Sequence, residues 1–190
     1  MRLIILLGTL AIALPFIISG VAIPFGHAVS ERFLERPTQK ETPNYTIPRE
    51  TAAGPSLDAA SLIHWIRDNS DFAKGYATRV IPLDMLYLFF LGGFLAIAST
   101  TLAGFIRWPM ALSDFPAWIW CLLPIIYIVS DFAEDELILT MLRSPSAIDA
   151  MTADVLAFVR QTKIVTLTLS IVQVLLLCLM SYVPASHSGV

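Results

Sequence analysis

Residues 83–105 read LDMLYLFFLGGFLAIASTTLAGF, with Asp84 as the only charge. About 20 apolar residues, rising 1.5 Å each, cross the hydrocarbon core of a bilayer. A helix of this length on a soluble domain normally keeps a polar face, and this stretch has none. It therefore reads as a membrane-spanning helix. Pro82 suits its first turn, where a missing N–H costs nothing. Arg107, Trp108 and Pro109 end it, and Arg and Trp favour the membrane interface.

Three further runs share this character. The first, residues 1–24, follows Arg2 with apolar sequence from Leu3 to Pro24. A cleaved signal peptide competes there, with Gly26-His27-Ala28 as a small-residue site. A signal h-region is only roughly 7–15 residues, so the longer run favours a retained anchor. The third span, 115–143, is charge-free from Phe115 to Ser130 and then meets Asp131, Glu134, Asp135 and Glu136. Ser144-Pro145-Ser146 interrupts the pattern. Residues 147–183 read as an amphipathic helix, with Ile148, Met151, Val155 and Phe158 on one side, leading into the fourth span after Arg160 and Lys163.

Bulk composition agrees with this division. Of the 190 residues, 56% are apolar and 14% charged, against about 25% charged in soluble domains. A net charge of −3 with no Lys/Arg block excludes a nucleic-acid partner. Cys121 and Cys178 lie inside apolar runs, as small hydrophobes do, so no secreted-type disulfide framework is predicted.

The one large hydrophilic segment is 25–81. Pro37, Pro43, Pro48 and Pro55 make its first part an extended tether. A short helix, 57–69, follows. Ser56 caps it, Asp58 sits in its first turn, and Ala59, Leu62, Ile63 and Ile66 form one apolar stripe. The predicted fold is all-α: a membrane-spanning four-helix bundle with an amphipathic helix in the first extracytoplasmic loop.

Orientation rests on the amino-terminal run. The positive-inside count does not decide it: Arg2 and Arg107 fall on one side, and Arg143, Arg160 and Lys163 on the other. The signal-like flank places both termini in the cytoplasm.

Ionisable groups in a span are costly unless paired or hydrated, so each marks a candidate site. Alternate spans run in opposite directions, which brings Asp84, Asp131, Glu134 and Lys163 to the same end of the bundle. Asp131, Glu134 and Asp135 share a helix face at i, i+3 and i+4. Lys163, Thr166, Ser170 and Gln173 form a polar stripe at spacings that face a bundle interior. Tyr87 lies one turn after Asp84. These nine residues are the candidate polar pocket, open to the outer surface. Oxygen ligands there suit a hard cation, or acid/base chemistry. The competing structural reading is an ion-pair network that fixes helix register. His27, His64 and His187 lack metal-ligand spacing, and no P-loop, G-x-G-x-x-G or C-x-x-C occurs. The sequence identifies no cofactor.

The chain resembles an uncharacterised group of small bacterial four-helix membrane proteins. Gly54-Pro55-Ser56-Leu57-Asp58 is similar to that group's opening of the loop helix. Leu83-Asp84-Met85-Leu86-Tyr87 is similar to its Leu-Asp-Leu-Leu-Phe start of the second span, with Leu88 where Pro is usual. Ser130-Asp131-Phe132-Ala133-Glu134-Asp135 is similar to its Asp-x-x-Glu-Asn signature, with Asp135 in place of Asn. The resemblance implies the four-span fold and draws attention to Asp84, Asp131 and Glu134; it implies no activity.

Three functions compete. The first is a non-enzymatic accessory or structural protein in the bacterial inner membrane, acting with a membrane-protein partner or as a homo-oligomer. The second is a small ion- or solute-binding transport protein using the acidic cluster. The third is a membrane enzyme on a lipid or quinone, which the missing catalytic motifs place last.

Overall fold

The structure is a computed structural model that describes residues 2–22, 59–106 and 116–182. The Pro-rich tether, the cap at Ser56 and Asp58, His27 and the carboxyl-terminal tail with His187 lie outside the described residues. Every regular element among the described residues is helical. α1 is Arg2–Ala22, α2 Ala59–Asp68 and α3 Ser70–Gly75. A π-helical turn, Tyr76–Val80, joins α3 to α4, Ile81–Phe105. A 3₁₀ turn, Ala117–Cys121, opens α5, Leu122–Arg143, and a second, Pro145–Ala147, leads to α6, Ala150–Tyr182. Among the described residues four helical runs are long and apolar enough to cross a membrane: Arg2–Ala22, Ser70–Phe105, Ala117–Arg143 and Met151–Ser181.

The second run starts twelve residues before the predicted 82. Sequence reasoning ended the loop at Pro82, because proline lacks an N–H and its ring clashes with the preceding turn. The chain avoids that break with the wide π turn. Ile81 donates its N–H to the Tyr76 carbonyl, five residues back, and the added residue gives the Pro82 ring room. At the upstream end Asn69 separates α2 from α3. Its backbone N–H donates to Trp65 O at 3.0 Å, and its side-chain amide donates to the same oxygen at 2.9 Å.

Side-chain burial divides the bundle into layers. The middle layer packs Leu88 and Leu95 of α4 against Tyr127 of α5, with Leu167 and Val174 of α6 at the edge. Gly92 makes this contact close: a Cβ built there would stand 2.3 Å from Ile128 Cγ1. α1 lies along α4, and Gly8 faces the Phe94 ring.

The end layer is separate. Leu62 and Ile66 of α2 pack with Ala73, Ala77 and Ile81, and with Ile138, Met141 and Leu142 at the end of α5. Ile148 and Leu156 complete it. α2 is thus amphipathic: His64, Arg67 and Asp68 face outward, and His64 Nδ1 contacts Asp68 at 2.7 Å.

In the amphipathic stretch at the start of α6, Met151, Val155 and Phe158 face away from the bundle, with Met151 74% exposed and Phe158 72%, while Ile148 just before the helix is buried. The inward positions are Ala153 and Leu156. They continue through Arg160, Lys163, Leu167, Ser170, Val174 and Leu177 at alternating spacings of three and four, the seam of a coiled-coil-like packing. Asp149 caps α6. Its Oδ1 accepts from the Thr152 N–H and the Thr152 hydroxyl, both at 2.6 Å.

Candidate functional site

Between the two apolar layers lies a layer of charge. α5 supplies Asp131, Glu134 and Asp135, which its helical spacing turns inward together. They are only 4%, 2% and 4% exposed. α6 supplies two cations one turn apart. Lys163 Nζ contacts Asp131 Oδ1 and lies 2.9 Å from Glu134 Oε2. Arg160 Nε donates to Glu134 Oε1 at 2.8 Å. Glu134 therefore receives a cation on each oxygen, and α5 and α6 are tied at two adjacent heights. Such pairs are shorter and stronger than neutral hydrogen bonds.

The remaining carboxyls are unequal. Asp84, on the facing side of α4, is half-buried, close enough to feel the charges of Lys163, Asp131 and Glu134. Asp135 Oδ2 is buried with no hydrogen-bond partner among the described residues, and so is Arg160 Nη2. Tyr127, 1% exposed, lies one turn before Asp131 on α5. Among the described residues, Asp84, Asp131, Glu134 and Asp135 thus lie around the two paired cations Arg160 and Lys163.

The candidate residues do not all meet here. Asp131, Glu134 and Lys163 are in direct contact, with Asp135 and Asp84 beside them and half-buried Tyr87 at the edge. Thr166 and Ser170 are buried but donate back into their own helix, to Thr162 O and Thr166 O, both at 2.7 Å. Gln173 lies ten residues further along α6, about 15 Å away. It bridges three elements, donating to Ser99 Oγ at 2.9 Å and Trp120 O at 2.7 Å.

Two expectations change. Among the described residues the charged layer is not open, because Asp131, Glu134 and Asp135 are buried and the apolar end layer follows next to them along α5 and α6. Arg160, taken in the sequence as a loop cation, is part of it. The signal was present in the spacing: Arg160 precedes Lys163 by three and shares its face.

Among the described residues no three His, Cys, Asp or Glu side chains converge on a metal-sized site. Cys121 and Cys178 are both free thiols. Comparison with protein-family models, curated proteins and solved structures finds no match. The chemistry of the charged layer is thus the guide to function.

Proposed function

We propose that the chain crosses the bacterial inner membrane four times, with both termini cytoplasmic and α2 in the first extracytoplasmic loop. In this reading it is a non-enzymatic accessory or structural membrane protein. The charged layer holds α5 and α6 in one register, so that the bundle presents a fixed surface to a membrane-protein partner or a second copy. The observation that carries this is the engagement of both α6 cations by α5: Lys163 by Asp131 and Glu134, Arg160 by Glu134. A buried ion pair is poor at adding net stability but good at penalising other registers, since any slip strands a charge.

Purification from native membrane in mild detergent tests the partner role; a stoichiometric companion, or a defined oligomer, is expected. Asp84→Asn and Asp131→Asn test the structural role. Normal insertion and accumulation of both variants would contradict it. Reporter fusions after residues 50, 110, 145 and 190 test the orientation, and a cytoplasmic position for residue 145 would reverse it.

A second reading has its own support. Asp135 Oδ2 is buried and unpartnered, beside Asp84, in a layer with more carboxyls than cations. That excess suits a small ion- or solute-binding transport protein loading a monovalent cation or a proton. A divalent ion wants six or more oxygens, and no such set gathers among the described residues. Thermal stabilisation by sodium or potassium that disappears in Asp135→Asn would favour this second reading.

A further inference from the structure

Outside the charged layer, α2, α3 and the end of α5 enclose a second feature. A cleft of about 580 Å³ is lined by Arg67, Lys74 and Arg143, with Ser70 and Thr78 between them. Among the described residues no carboxylate lines it. None of the three cations has an ion pair among the described residues, and Asp68, the nearest acid in sequence to Arg67, is taken by His64. The wall between the cations is apolar, formed by Ile66, Ala77 and Leu142.

Position along the bundle gives this charge a meaning. The run Ala117–Arg143 has 27 residues. About 20 cross the hydrocarbon, so Arg143 stands roughly 10 Å beyond it. The headgroup region adds only about 5–8 Å per leaflet, and long basic side chains reach back towards it. The run Ser70–Phe105, at 36 residues, overshoots further and carries Lys74 at the same end. Phosphate is the anion of this depth. Arg offers it a planar fork and Lys a point charge.

From this we infer that the cleft binds a phosphate-bearing anion, and that its source is the headgroup of an anionic phospholipid. Arg67, Lys74 and Arg143 surround the phosphate, Ser70 donates a hydroxyl, and the apolar wall covers the glycerol end. Thr78 does not donate to the phosphate, because its hydroxyl hydrogen is engaged by Lys74 O at 2.8 Å. The site rests on the membrane crossing proposed above, but not on the charged layer or on which role that layer serves.

The test uses the full chain purified in non-ionic detergent, with binding of phosphatidylglycerol, phosphatidylcholine and inorganic phosphate measured by native mass spectrometry and thermal shift. Phosphatidylglycerol is expected to bind in preference to phosphatidylcholine. Arg67→Gln, Lys74→Gln and Arg143→Gln are each expected to weaken it about fivefold, the value of one basic residue near an anionic surface. All three positions are exposed, so folding is not at stake. Arg2→Gln removes the same charge outside the cleft and is expected to leave binding unchanged. Equal weakening by Arg2→Gln, or no weakening by the three cleft variants, overturns the site. Saturable inorganic phosphate binding with the same variant losses overturns the lipid source.

Discussion

Glu134 accepts Arg160 Nε at 2.8 Å on a carboxylate that is 2% exposed, and its other oxygen faces Lys163. Removing one partner of a buried pair leaves the other uncompensated, at a cost of about 3–5 kcal/mol. Glu134→Gln is expected to lose stability on that scale in thermal unfolding in detergent. Arg160→Gln is expected to lose less, because Lys163 still serves Glu134. The double variant Glu134→Gln with Arg160→Gln is expected to be less destabilised than the sum of the singles. Strict additivity would mean that the contact carries no coupling.

Gly92 is required by the closeness of α4 and α5. In Gly92→Ala the new methyl meets Ile128, and overpacking of this kind costs about 1–3 kcal/mol. Shortening the neighbour in Gly92→Ala with Ile128→Ala is expected to recover part of the loss, read as a rise in unfolding temperature over the single variant.

Gln173 ties α6 to Ser99 and to the Trp120 carbonyl. Gln173→Leu leaves the buried Ser99 hydroxyl without this donor and takes one donor from the Trp120 carbonyl, at about 1–3 kcal/mol. Adding Ser99→Ala removes one orphan and is expected to restore part of the stability. A further loss in the double variant would contradict the geometry.

Asp149 supplies a pH dependence. Hydrogen bonds from the Thr152 hydroxyl and amide hold its carboxyl below the ordinary carboxylate range. A depressed folded-state pKa contributes stability that is present above the unfolded value, about 3.9, and lost as pH falls through the folded one. The unfolding temperature of the wild type is therefore expected to exceed that of Asp149→Ala at pH 7. The gap is expected to close below about pH 4.

The sequence revealed the four apolar runs because bilayer crossing sets a length that few other structures need. It also revealed Asp131, Glu134 and Lys163, since helical spacing alone puts two acids on one face and the opposed directions of α5 and α6 bring the lysine to them. Arg160 was hidden for a physical reason: a cation just outside an apolar run reads as an interface anchor, and only the projection of α6 beyond the run turns it inward. Pro82 concealed the continuity of α3 with α4, because a π turn has no compositional signature of its own.

That turn has a consequence for the end of the bundle where α2 and α3 pack. Each residue on a helix advances the azimuth by about 100°, so the extra residue between Tyr76 and Val80 reorients everything upstream of it by about that angle. Deleting one residue there would restore ordinary winding and swing α3 round its own axis. Ala73 and Ala77 would turn from α5, uncovering the acids below, and Lys74 would part from Arg143. One surplus residue thus sets the bearing of the lid over the charges and of the basic cleft beside it.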